Sequence, residues 1–325
     1  MRKEHNYSVD AYRFLIMLWI VLFHYTVRYN EIGVGEQIIY PYKFENGGII
    51  GVKIFFLVSG YFMTKGICCR KDCGLKVYLK FLIQRYYRLW LPYSIACCII
   101  YIWMLVFPLH GRTVTFGTFI IDLFFILHPG VDCVDGAHWF LSTLFASQLI
   151  LGLLLLANQN MRKYVLYAVS AVIIICKLSN LPPLHVQRII DGYYLFEITL
   201  GMNLFMAKSK DTKAIVLSVV GLLISAWCSL IFFVFIVLFL FCLFDYAPIP
   251  VGNASAILAR IGNLSFYWYL VHQNIGYSLQ SMFVPSGNTS FLWILLPTFS
   301  TLSLAFVIDK TCKLLSQIIS RRFAL

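Results

Sequence analysis

Apolar residues come in long runs along this chain, and the short stretches between them collect the charge. Val9 to Tyr25 reads VDAYRFLIMLWIVLFHY and is apolar without a break from Phe14 to Phe23. A run of that kind can pass through lipid as a helix, which satisfies its own backbone hydrogen bonds. Similar runs follow at Gly47 to Phe62, Trp90 to Phe107, Trp139 to Ala157, Tyr164 to Leu178 and Tyr193 to Ala207. Ala214 to Asp245 is long enough for two crossings with a tight turn near Ser229, and Ile261 to Met282 and Phe291 to Ile308 complete the series. Phe116 to Leu127 is apolar but short for a crossing, and reads as re-entrant or interfacial within an outer segment from Pro108 to His138. The pattern predicts an all-α polytopic membrane protein of about ten transmembrane helices.

Charge then sets the orientation. Lys65 to Arg88 carries Arg70, Lys71, Lys76, Lys80, Arg85 and Arg88 against Asp72 alone, the strongest positive-inside signal in the chain. Arg162 with Lys163, the trio Lys208, Lys210 and Lys213, and the tail Lys310 to Arg322 fall on the same side, whereas Glu31, Glu36 and Glu45 fall on the other. Both termini are therefore expected in the cytoplasm, with the chain multi-pass in the cytoplasmic (plasma) membrane. The first helix is expected to remain as a signal anchor, because no small-residue cleavage site follows it. Residues 1–325 read as a single membrane-embedded domain without an internal repeat.

Composition narrows the functional classes. The chain is 60% hydrophobic and 12% charged, with a mean hydropathy of +0.80, which excludes a soluble domain of this size. The net charge of +12 belongs to loop bias, so lipid and not nucleic acid is the expected partner. The ten cysteines form no disulfide framework. Cys97, Cys98, Cys176, Cys228 and Cys242 lie in apolar runs and pack as small hydrophobes. Cys68, Cys69 and Cys73 lack a second ligand pair, and Cys133 stands alone, so no metal site is expected.

Candidate chemistry lies where ionisable groups enter apolar runs, since burying them in lipid is costly without a partner. Arg13 and His24 bracket the first run and share one helical face, roughly 16 Å apart along the axis. Asp10 sits one turn before Arg13. Lys53 and Glu197 are expected to pair and fix packing, and His272 in YWYLVH reads as an imidazole near an interfacial aromatic belt. Ser59 in VSGY has no visible base beside it and reads as a helix-packing residue. Arg85 and Arg88 in QRYYRLWLP can anchor the membrane surface or bind phosphate through paired donors. There is no nucleophile elbow, no zinc-protease motif and no phosphate-binding glycine loop.

Together these pieces resemble the acyltransferase 3 family of integral membrane acyltransferases. The likeness rests on Arg13 followed by ten residues and His24, on GVKIFFLVSGY (Gly51 to Tyr61), and on Arg85 and Arg88 before Pro92. It rests also on HWFLSTLF (His138 to Phe145) and SFYWYLVH (Ser265 to His272), and it covers essentially the whole chain in order. Lys53 departs from the family, whose members often carry an acidic or other polar residue there, and no esterase-like domain of the kind fused to some members is expected. The resemblance implies transfer of an acyl group, often acetyl, from cytoplasmic acyl-CoA to a hydroxyl of a glycan or lipid-linked acceptor at the outer face. That is O-acetylation of the kind used in polysaccharide modification of the cell envelope. It implies that Arg85 and Arg88, with Arg13 nearby, hold the phosphates of acetyl-CoA. His24 would act as a base or as a transient acyl carrier, and Ser59, Tyr61 or Trp139 would stabilise the oxyanion. The rival expectation is a transporter or flippase of lipid-linked sugars, for which charges and glycines within the membrane are equally suitable.

Overall fold

The structure, a computed structural model, describes residues 6–31, 47–68, 74–107, 114–123, 134–154, 159–181, 194–208, 210–243, 253–283 and 292–323. Among them there are helices and no strands. They are α1 (Tyr7–Glu31), α2 (Gly47–Cys68), α3 (Leu75–Val106), α4 (Phe116–Leu123), α5 (Trp139–Leu154) and α6 (Gln159–Leu178). After these come α7 (Leu195–Ala207), α8 (Thr212–Cys228), α9 (Leu230–Leu243), α10 (Asn253–Phe283) and α11 (Leu292–Phe323), and a 3-10 turn at Gly136–His138 leads into α5. Among the described residues five segments are long and apolar enough to cross a membrane, lying in α1, α2, α3, the turn with α5, and α11, while α7, α8 and α9 are shorter apolar helices.

The helices begin and end where local chemistry dictates. Asp211 caps α8 by accepting from the backbone N–H groups of Lys213 (3.1 Å) and Ala214 (3.5 Å). Ser229 breaks the apolar run between α8 and α9, its N–H donating to Ser225 O (2.9 Å) and its hydroxyl accepting from Phe232 N (3.3 Å). The expected tight turn is therefore a capped junction. The basic segment ahead of Trp90 differs from expectation. No residue from Leu75 to Trp90 breaks a helix, so α3 starts at Leu75 and carries Arg85, Arg88 and Pro92 within it. The apolar run at Phe116 forms an eight-residue helix. Its last carbonyl, on Leu123, accepts from Trp90 Nε1 (2.8 Å) and Ser94 Oγ (3.3 Å) of α3. The expected continuation to Leu127 lies outside the described residues, as do Asp245 and the outer loop from Pro182 to Asp191.

Helix α1 is gripped on several sides. Gly48 and Gly51 of α2 face Phe23 and Ile20, so α2 runs antiparallel to it. Gly262 of α10 meets Asp10, and Gly276 meets Tyr25, so α10 runs parallel to α1. Trp268 Nε1 donates to Thr301 Oγ1 (2.9 Å), and Tyr267 lies by Asp309, so α11 is antiparallel to α10. On the remaining side Tyr12 Oη donates to Phe235 O of α9 (2.7 Å). Helices α2 and α7 cross in parallel, with Phe56 against Tyr194 and Tyr61 against Phe205 (ring centroids 4.7 and 5.4 Å). At the crossing a Cβ on Gly60 would lie 2.1 Å from Ile198 O, and one on Gly201 2.0 Å from Leu57 O, so only glycine lets these backbones touch. Outward faces of α3 and α8, including Ile102, Leu105, Val106, Leu223 and Trp227, are exposed and apolar, as lipid contact requires.

Candidate active site

The parallel packing of α1 on α10 brings together residues about 250 positions apart. His24, half-buried on α1, places Nδ1 3.0 Å from the Tyr277 hydroxyl of α10. Its ring centroid lies 5.2 Å from that of His272. The guanidinium of Arg28, one turn further along α1, lies 5.6 Å from the centroid of the Tyr277 ring. The frame around this group is tight. Tyr25 Oη donates to His272 O (2.9 Å) and lies 3.1 Å from Thr301 Oγ1 of α11, and Gln280 Nε2 donates to Tyr25 O (3.0 Å).

His272, whose aromatic neighbours suggest a place near the membrane interface, is fully buried within the protein. Coverage by α1, α10's own aromatics and α11 displaces it from any surface. Its Nδ1 lies 2.7 Å from Tyr269 O; a carbonyl only accepts, so Nδ1 carries the hydrogen and the neutral ring keeps its lone pair on Nε2. Among the described residues that Nε2 has no hydrogen-bond partner. A third imidazole, His138, is buried nearby at the end of the 3-10 turn. Its Nε2 donates to Leu270 O (3.1 Å), and its Nδ1 lies 4.0 Å from the thiol of Cys97.

The turn that carries His138 is 3-10 backbone buried against α10, and side chains meet several of its polar groups. Asp135 accepts from Ala137 N (2.9 Å) and from Asn274 N (3.2 Å), and Asn274 Nδ2 donates to Val134 O (2.6 Å). Tyr269 Oη donates to Ala137 O, and Asp122 of α4 accepts from Val134 N. Irregular backbone at membrane depth survives only where protein encloses it in this way.

At the other end of α1 lie the guanidiniums. Arg13 pairs with Asp10, Nη1 to Oδ1 at 3.8 Å, and Asp10 is buried. Arg13, Arg85 and Arg88 are within electrostatic reach of one another. Arg85 Nε donates to Gln148 Oε1 (3.2 Å), and Arg88 is exposed. Among the described residues neither Arg85 nor Arg88 has a carboxylate partner, so this cluster keeps donors for an anion.

The remaining expected residues lie elsewhere. Tyr61 packs on Phe239 (6.0 Å), which packs on Tyr12 (5.6 Å). That level is about 18 Å along α1 from His24. Ser59, two residues away on α2, shares this depth and is half-buried. Trp139 is exposed on the flank of α5, its ring 5.3 Å from Tyr194. Glu197 pairs not with Lys53 but with Lys177 of α6 (3.8 Å), while Lys53 sits over the Phe232 ring (5.7 Å). Tyr277, Asp135, Asn274 and Lys177 are not among the residues that the sequence singles out, and His138 is there only as the first residue of HWFLSTLF. Asp135 and His138 stood within reach of inspection, being ionisable groups beside an apolar run. Tyr277 and Asn274 carry no such signal.

A family model described as an acyltransferase domain, that of the acyltransferase 3 family, matches residues 6–310. No curated protein and no solved structure matches the chain.

Proposed function

We propose a function from one premise: the chain belongs to the acyltransferase 3 family, and is a multi-pass membrane acyltransferase. The reading is that it moves an acyl group, acetyl in the first instance, from cytoplasmic acyl-CoA to a hydroxyl of a glycan or lipid-linked glycan at the outer face. It would do so from the cytoplasmic membrane, crossing about ten times with both termini inside. The opposite directions of α1 and α10 against α2, α7 and α11 support that alternation.

The observation that carries the reading is the layout of α1. Three guanidiniums gather at one end and a hydrogen-bonded imidazole stands at the other, within the bundle. Arg85 and Arg88 would take the donor's phosphates, with Arg13 beside them. The extended pantetheine arm would then bring the thioester up to His24. His24 takes the proton of the acceptor hydroxyl, the oxygen attacks the thioester carbon, and the C–S bond breaks to release CoA. Ser59 and Tyr61 lie level with the guanidiniums, which suits them to line the donor's path. Trp139 fits neither role by its position on the flank.

The test is acyl transfer by purified protein in lipid nanodiscs with labelled acetyl-CoA and a glycan acceptor. Wild-type protein should transfer label or hydrolyse the thioester, and His24→Ala should do neither while inserting normally. Wild-type protein inert in both assays would favour a transporter, and full activity in His24→Ala would remove the role given to that residue.

A further inference from the structure

A bare imidazole nitrogen buried in a membrane bundle needs an explanation, because an unpaired buried polar group costs about 1–3 kcal/mol. His272 Nε2 is such an atom: it is fully buried, it has no partner among the described residues, and its ring is the near neighbour of His24. Nδ1 is already committed to Tyr269 O, so the tautomer is fixed and the neutral ring keeps its lone pair on Nε2. Being without exposure, His272 meets no substrate in this state. It reaches the chemistry only through His24.

We infer that His272 is a positioning residue for His24, supplying the lone pair that steadies the imidazolium formed during acyl transfer. The inference rests on the catalytic reading of His24. Before the reaction His24 holds Nδ1 3.0 Å from the Tyr277 hydroxyl, and to act as a base it must start as the neutral ring. When the acceptor's O–H bond breaks, its proton goes to His24 and its electron pair to the new C–O bond. The ring is then a cation inside the bundle, where uncompensated charge is expensive. His272 Nε2 offers it an acceptor until the proton leaves with the CoA thiolate as the thiol. Overall one ester forms, one thioester breaks, and no oxidant or further reactant is needed.

The groups facing His272 are compatible with this. From α1 come His24 and Tyr25, from α10 Tyr269, from α11 Thr301, and from the 3-10 turn His138, whose own nitrogens are engaged by Leu270 O and Cys97. The carboxylate near this group, Asp135, is held by two backbone N–H groups and lies within electrostatic reach of Tyr25.

The experiment compares His272→Phe, which keeps a ring and loses the lone pair, with His272→Gln, which keeps an acceptor, beside His24→Ala. Single-turnover acyl transfer should fall on the order of 100-fold in His272→Phe and by about tenfold or less in His272→Gln. The KM for acyl-CoA should stay unchanged in both. Added to His24→Ala, His272→Phe should cost nothing further. In wild-type protein with 15N-labelled histidine, the resonance lost in His272→Gln should belong to a neutral ring with a protonated Nδ1 and a bare Nε2. The inference falls if that ring has the opposite tautomer, if folded His272→Phe transfers at the wild-type rate, or if His272→Gln is as slow as His272→Phe. Activity persisting in His24→Ala would instead sink the reading of His24, which is a separate result.

Discussion

His24 and Tyr277 are separated by 253 residues, yet Nδ1 of one lies 3.0 Å from the hydroxyl of the other. The contact fixes the ring so that its second nitrogen faces away from Tyr277. Arg28, stacked on the tyrosine ring, braces the pair from the end of α1. Tyr277→Phe removes the hydroxyl and keeps the stacked ring. One such hydrogen bond is worth about 1 kcal/mol, so kcat should fall roughly fivefold to tenfold. The KM for acyl-CoA should not move, because the donor's phosphates would bind at the far end of the helix. Steady-state kinetics on the variant check this, and an unchanged kcat would mean that Tyr277 does not orient the imidazole.

The guanidinium cluster should behave in the opposite way. Arg85→Ala and Arg88→Ala each remove a charge-assisted contact worth about 1.5–3 kcal/mol, so the KM for acyl-CoA should rise about tenfold to 100-fold with kcat little altered. Arg88 is exposed, so its contribution should weaken as salt is raised, whereas Arg85, half-buried against Gln148, should be less sensitive. A donor lacking its terminal phosphate should show a smaller penalty in whichever variant has lost that contact. A fall in kcat at constant KM would place these arginines elsewhere in the mechanism.

How much of this was legible follows from what periodicity and local chemistry can carry. The apolar runs located the helices, and a polar Ser229 inside one of them marked the junction of α8 and α9. Arg13, Asp10 and His24 were readable because they lie on one helix, where spacing fixes geometry. Partners across the bundle were not. Glu197 meets Lys177 because α6 and α7 pack together, and nothing in the local sequence prefers that cation to Lys53. His272 looked interfacial beside Tyr267, Trp268 and Tyr269, but burial depends on which helices cover it. Tyr277 and Asn274 are polar residues on a helix with no pattern to distinguish a site from a surface.

The buried 3-10 turn supplies a stability prediction. Asp135 holds two backbone N–H groups, one in its own turn and one on α10. Asp135→Ala leaves both donors without that acceptor in a dry setting, a cost of about 2–5 kcal/mol. The turn also carries His138, so acyl transfer should fall together with thermal stability in detergent. Asn274→Ala should be milder, since it removes one side-chain bond to Val134 O and leaves the backbone contact in place. The double variant should be less damaged than the sum, because both residues hold the same turn. Additive losses would mean that the two contacts stabilise different parts of the protein.

The crossing of α2 and α7 decides whether α2 can seat Gly48 and Gly51 against α1 at all. A side chain on Gly60 or Gly201 would run into the carbonyl of the opposing helix, at 2.1 and 2.0 Å for the first carbon alone. Backbone cannot yield as a flexible side chain can, so the helices must part, and Phe56, Tyr61, Tyr194 and Phe205 lose their ring contacts with them. Overpacking in a core ordinarily costs about 1–3 kcal/mol, and a backbone clash should exceed that. Gly60→Val and Gly201→Val should therefore abolish recovery of monodisperse protein. Gly66→Ala, six residues further along α2, would meet only Phe81 at 3.4 Å and should be tolerated. Size-exclusion profiles of the three variants separate the cases. Normal recovery of either valine variant would mean that the helices do not touch at these glycines, and that α2 is held against the bundle by its aromatic contacts alone.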